Sequence, residues 1–231
     1  VCRSYRTVSS VAAQVLSALP PLWLKVKERS DLYRLKTTRE LQELPSDRKL
    51  QSVVPYGELQ HPAFRMYVPM TESEVKEAKI ILCVYAAGIT GSRGTGSAFI
   101  AVKDDVVIVT KKFLLSNYCT RLQASLLSVW KSLDWLYKWM EKTASVNGDI
   151  VKVFVQLSSV KGMMFGTSYN RLVFESQCLV RDMLVKFGVK VDFVYEGKPR
   201  GKYPDMVNSA AITACSLKTA PAYDMFEMKY A

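Results

Sequence analysis

The residues that could do chemistry are few and scattered. The chain of 231 residues holds one histidine, His61, in His61-Pro62 with no marked serine or cysteine partner, so nucleophilic catalysis lacks a visible base. Cys2, Cys83, Cys119, Cys178 and Cys215 are odd in number and form no Cys-x-x-Cys. That pattern argues against a zinc site or a disulfide framework and for buried free thiols in a reducing compartment. Gly88, Gly91, Gly94 and Gly96 make a Gly-rich run, but a phosphate loop needs Gly-Lys-Ser/Thr between a strand and a helix. This run joins two strands and is read as a hairpin. Asp104, Asp105, Asp149 and Asp192 fall at strand edges and Asp205 opens a helix, so no acid–base constellation stands out. What remains is charge. Thirty-two Lys and Arg against 21 Asp and Glu give +11 and a pI near 9.4. A basic surface favours polyanions through phosphate neutralisation and counterion release. Residues 76–231 hold 21 basic and 13 acidic groups, +8 of that excess.

The elements that must position these groups can be read from periodicity and breakers. Residues 1–40 read as helical: Ser9 and Ser10 cap Val11–Leu19, Pro20-Pro21 stops it, and Pro21 opens a second helix. Residues 37–75, punctuated by Pro45, Pro55, Gly57 and Pro62, read as a linker with local structure. From Ile80 to Tyr85 a continuous apolar run predicts a strand buried on both faces. Ser97–Val102 and Val106–Thr110, split by Lys103-Asp104-Asp105, complete an antiparallel meander. A helix is expected from about Ser116 to Lys142, with Leu122, Leu126, Val129, Leu133 and Leu136 on one stripe and Trp130, Tyr137 and Met140 broadening it. Asn147-Gly148 turns the chain. Val151–Leu157, a helix over Tyr169–Phe187 ended by Gly188, Val189–Tyr195, a basic loop over Gly197–Gly201 and a helix over Pro204–Leu217 follow. Antiparallel strands followed by helix-linked strands make an α/β fold, a mixed five-stranded sheet with helices on its faces. The expected domains are a helical connecting segment and linker over 1–75, an α/β domain over 76–217 and a tail over 218–231. No apolar run reaches the roughly 18 residues of a membrane span, and no signal peptide is read. The chain starts at Val1, without Met, inside sequence that reads as structured, which suggests a fragment of something longer.

This order of elements resembles ribonuclease H, and local motifs agree. The family's first strand ends in a Tyr-x-Asp-Gly-Ser-like sequence; here it reads Tyr85-Ala86-Ala87-Gly88-Ile89. The family's Gln-Ala-Glu-Leu helix is here Gln123-Ala124-Ser125-Leu126. Its Asp-Ser-x-Ser is matched by Gln156-Leu157-Ser158-Ser159. Its late Gly-His-Ser and Asn-Glu-x-Ala-Asp segments correspond to Gly197-Lys198-Pro199 and Pro204–Asn208, with the family's spacing from Lys198 to Asn208. Upstream, Ser4–Ser10, Ala18–Leu22 and Glu28–Tyr33 resemble the segment between reverse transcriptase and ribonuclease H in insect-type non-LTR retrotransposon polyproteins.

The resemblance implies a fold whose four metal-binding acid positions read Ala87, Ser125, Gln156 and Asn208. Ribonuclease H chemistry uses two Mg²⁺ ions to activate water and stabilise the leaving oxygen, and Mg²⁺ wants hard carboxylate oxygens. The expectation is therefore a retroelement-derived protein that is not an enzyme, with no cofactor and no metal. Its partner is expected to be RNA, DNA or hybrid, held at Arg93, Lys111, Lys112, Lys161, Lys198, Arg200 and Lys202, with Tyr203 stacking on a base or ribose. The alternative is a protein-interaction scaffold or effector-like protein using Met163-Met164-Phe165 or the tail residues Tyr223, Met225, Phe226, Met228 and Tyr230. No membrane partner is expected, and the location is expected to be intracellular, in cytoplasm or nucleus.

Overall fold

The computed structural model describes residues 26, 27, 30, 49–51, 54, 79–143, 149–166, 168–195, 197 and 201–226. The chain divides into two compact units, Val1–Arg48 and Lys49–Ala231. In the first, Val26, Lys27 and Ser30 are helical and exposed. The other expected elements of residues 1–40, His61 and the Asn147-Gly148 turn lie outside the described residues.

The second unit is built on one sheet. Its strands are β1 (Ile80–Gly91), β2 (Gly94–Lys103), β3 (Val106–Leu115), β4 (Ile150–Val155) and β5 (Lys190–Tyr195), in the order β3-β2-β1-β4-β5. β1, β2 and β3 pair antiparallel; β1–β4 and β4–β5 pair parallel. The helices are α1 (Arg121–Lys142), α2 (Ser158–Phe165), α3 (Arg171–Phe187) and α4 (Lys202–Ala214). This is the mixed, helix-flanked, five-stranded sheet expected from the sequence. Among the described residues no helix is long and apolar enough to cross a membrane.

Strand β2 explains the layering. Gly94 to Val102 are buried without alternation, because helices cover both faces. On one side α1, α2 and α3 enclose the large core, with Leu82, Val84, Phe99, Leu126, Leu133, Leu136, Val153 and Phe193 among its members. On the other side α4 alone lies over Ala87, Ala98, Ile100 and Val102, and meets them with Val207, Ala210 and Ala211. Small side chains on both surfaces let α4 sit close: a Cβ on Gly96 would fall 2.3 Å from the Ala211 carbonyl oxygen.

Boundaries moved where capping chemistry decided. α1 starts at Arg121 rather than Ser116, because the Thr120 side chain accepts from the Gln123 N–H while the Gln123 side chain accepts from the Thr120 N–H, a capping box. α3 starts after Asn170, whose side chain accepts from the Leu172 N–H, and ends at Gly188 with φ 66°. α4 runs Lys202–Ala214 instead of Pro204–Leu217. The short α2 had no counterpart in the sequence reading. The β2–β3 turn places Asp104 (φ 49°) and Asp105 (φ 60°) in the left-handed region, which aspartate tolerates better than most residues.

Residues upstream and downstream close onto this unit. Lys49–Leu50 pairs parallel with Met225–Phe226. Gln51 is buried and donates to Asn170 Oδ1, while Gln123 Nε2 donates to Gln51 Oε1 and to the Met225 carbonyl. The tail meets the end of β3 as well, through Ser116 N–H to the Tyr223 carbonyl and Ala222 N–H to the Leu114 carbonyl.

Candidate functional site

The four positions singled out by the resemblance come together around β1 and β4. Gly88 lies against the start of α1 so closely that a Cβ there would be 2.3 Å from Ser125 N and 2.5 Å from Ala124 C. Ser125 is thereby brought beside the residue after Ala87. Ala86 pairs with Val155 at the end of β4, which puts Gln156 next in line beside Ala87. The Gln156 amide donates to Asn208 Oδ1 on α4.

The chemistry at this convergence is that of packing. Ala87 is 0% exposed, in the small-residue layer under α4. Ser125 Oγ is enclosed and unpartnered, as are Ser97 Oγ, across the strand from Gly88, and Gln156 Oε1. Asp205 is exposed in the first turn of α4. Mg²⁺ requires hard, charged oxygen donors with room for water. One of the four positions has no donor, and the other three carry only neutral oxygens, so these side chains do not fit a two-metal centre. Among the described residues no group of three or more His, Cys, Asp or Glu could hold a metal ion.

The candidate phosphate-binding residues are spread out. Arg93 is exposed in the β1–β2 turn. Lys111 and Lys112 are exposed neighbours on β3, so alternation sends them to opposite sides of the sheet. Lys161 is half-buried on α2. Lys198 and Arg200 lie outside the described residues. Lys202 opens α4, with Nζ 5.3 Å from the Tyr203 ring. The Tyr203 hydroxyl donates to the Asp105 carbonyl at 2.8 Å. Its ring is 5.5 Å from Tyr85, whose own ring stacks on Phe154 at 4.5 Å. Burial and then the Asp105 carboxylate push the Tyr203 phenol pKa upward. α4 therefore runs from the β2–β3 turn to the strand beside the β1–β2 turn, and holds Lys202 and Arg93 at opposite ends of the sheet.

Of the surfaces considered for a protein partner, Met163-Met164-Phe165 is largely internal, and Met228 and Tyr230 lie outside the described residues. Met164 is 1% exposed, and Met163 and Phe165 are packed on the large core. Tyr223 packs there too and bridges to Leu115. A different concentration of aromatic and basic groups went unnoticed in the sequence: Lys131, Trp135 and Trp139 on α1, recurring every four residues.

No family model matches the chain, and no match is found among curated proteins. Solved structures similar to it include RNase H1 from the halophilic archaeon Halobacterium salinarum NRC-1, at 11% identity and TM-score 0.43 over 58% of this chain and 97% of that one. The N-terminal RNase H domain of a Mycobacterium tuberculosis protein is similar at 15% identity and TM-score 0.44, over 60% of this chain and 98% of that one. LC11-RNase H1, solved in complex with an RNA/DNA hybrid, is similar at 12% identity and TM-score 0.42, over 58% and 98%. The strand order β3-β2-β1-β4-β5, with helices on both faces, gives the second unit its ribonuclease H-like fold.

Proposed function

We propose that this chain is a ribonuclease H-like domain that has exchanged two-metal hydrolysis for binding, and that its ligand is nucleic acid held through basic side chains. The observation that carries this reading is Ala87, sealed under α4 where the resemblance puts the first carboxylate. The excess of +8 over residues 76–231 supports an anionic partner. An origin in an insect-type non-LTR retrotransposon polyprotein belongs to the same reading and rests on the upstream segments Ser4–Ser10, Ala18–Leu22 and Glu28–Tyr33.

The test is a titration of labelled RNA–DNA hybrid, duplex RNA and single strands at two salt concentrations with Mg²⁺ present. Salt-sensitive binding with every strand left intact is the expected result. Cleavage of the hybrid would overturn the loss of nuclease chemistry. Absence of binding to all of them would turn the reading toward a protein scaffold.

A further inference from the structure

The flank of α1 that overhangs the edge strand β3 gathers aromatic rings and uncommitted cations into one groove. Trp135 and Trp139 lie one helical turn apart, ring centroids 6.2 Å from each other and 24° from parallel. Trp135 meets Phe99 at 6.0 Å, and Phe99 meets Phe113 at 6.1 Å. Phe99 is the buried floor, while Trp135, Trp139 and Phe113 are partly buried and pack against the same core, each keeping some surface open. Lys131 closes one end, its Nζ 4.5 Å from the Trp130 ring and 5.9 Å from Phe113. Lys103 closes the other, its Nζ 5.8 Å from Trp139. Lys111 pairs across the sheet with Phe99 and shares the side of β3 that bears Phe113.

Lysines outnumber acids along this groove, with Asp104 and Asp105 following Lys103 in the β2–β3 turn. Among the described residues Lys103, Lys111 and Lys131 enter no ion pair. The acids on the same helix are engaged elsewhere: Asp134 with Lys138 and Glu141 with Lys186, both at 2.7 Å. Ammonium groups outside any ion pair beside partly buried indoles suit a ligand that offers phosphates and flat rings together. A duplex hides its base faces in its own stack; a single strand presents them.

We propose that this groove binds single-stranded nucleic acid, with bases stacking on Trp135 and Trp139 and phosphates contacting Lys103, Lys111 and Lys131. The inference rests on the nucleic-acid reading above and gives it a location: a flank about 15–20 Å along α1 from Ser125, remote from the vacated acid positions.

The test uses the full chain and a labelled oligouridylate, followed by anisotropy and by tryptophan fluorescence across a salt series. Binding should quench indole emission. Three lysine–phosphate contacts predict a slope of log K against log salt of about −2. Trp135→Leu should weaken binding roughly tenfold with the slope unchanged. Lys103→Gln and Lys111→Gln alter exposed residues that the fold does not need; each should lower the slope by about 0.7. Lys218→Gln, exposed and away from the groove, should bind as the unaltered chain does, while Arg93→Gln and Lys202→Gln probe the basic residues at the two ends of the sheet. If those two lose affinity while the groove variants keep it, the groove is wrong and the general nucleic-acid reading stands. If the unaltered chain binds no nucleic acid, both fall. If polyglutamate competes as well as the oligonucleotide and emission is unquenched, the groove docks an acidic protein segment and the proposal is overturned.

Discussion

Ala87 carries more consequence than its size suggests. Its methyl group fills a layer made of Ala98, Ala210 and Ala211, and a carboxylate there would be overpacked and unpaired. Ala87→Asp is expected to lower stability by at least about 3 kcal/mol, a fall in Tm of roughly 6–12 °C by calorimetry, with no Mg²⁺-dependent cleavage gained. That the residue is alanine was plain in the sequence; that α4 closes over it was not, because nothing local says which helix covers which strand. Cys119 supplies a second test. Burial pushes its thiol from an ordinary 9.0 up to about 11, since a dry site disfavours thiolate. The folded chain keeps this proton where the unfolded chain releases it. Stability from Cys119 is therefore fully present below pH 9 and is lost as pH rises toward 11. A disulfide reagent at pH 8 should modify Cys119 far more slowly in the native than in the denatured chain.

The helices and strands were mostly readable, and the misses have physical causes. α1 was expected from about Ser116, five residues early; the Thr120-x-x-Gln123 box settles the true start. Thr120→Ala should cost about 1 kcal/mol, visible as a shift of a few degrees in thermal unfolding. α2 was missed because eight residues give too few turns for a periodic signal. The junction of β1 with α1 depends on Gly88. Gly88→Ala would place a methyl group within 2.3 Å of backbone that cannot swing aside, and should cost about 1–3 kcal/mol, measured by urea unfolding. The groove beside α1 illustrates the limit of one-dimensional reading. The four-residue spacing of Lys131, Trp135 and Trp139 was available from the start, but Phe113 and Lys103 join them only through the register of the meander.

Taken whole, the second unit reaches beyond its sheet at both ends of the chain. Gln51, Gln123, Asn170 and the Met225 carbonyl form one hydrogen-bonded chain, buried between Gln51 and Gln123 and part-buried at its ends, so residues 49–51 and 222–226 are part of what α1 and α3 rest on. No sequence pattern announced this, because buried glutamines look like any surface glutamine until their partners arrive. The strand order, by contrast, followed from the alternation of long helices with apolar runs. Unfolding of Lys49–Ala231 should be a single transition by far-ultraviolet dichroism and by tryptophan emission, since both helix layers share one sheet; two separated transitions would contradict the common core.

Strand β3 is paired on one side by β2, and on the other the tail reaches only Leu114–Ser116. Among the described residues nothing pairs with the outer row of amides and carbonyls from Val106 to Phe113, which is flanked by Val106 at 63% and Ile108 at 42% exposure. Such an edge invites another chain to add itself, and lysine is a common guard against that. Lys111 and Lys112 stand on both sides of this edge, so any two copies approaching strand to strand would bring like charges together. Replacing the pair by threonine should leave the fold intact and yield a protein that scatters light increasingly with concentration and time. The same two ammonium groups would then set how crowded this molecule can become before it turns into fibre.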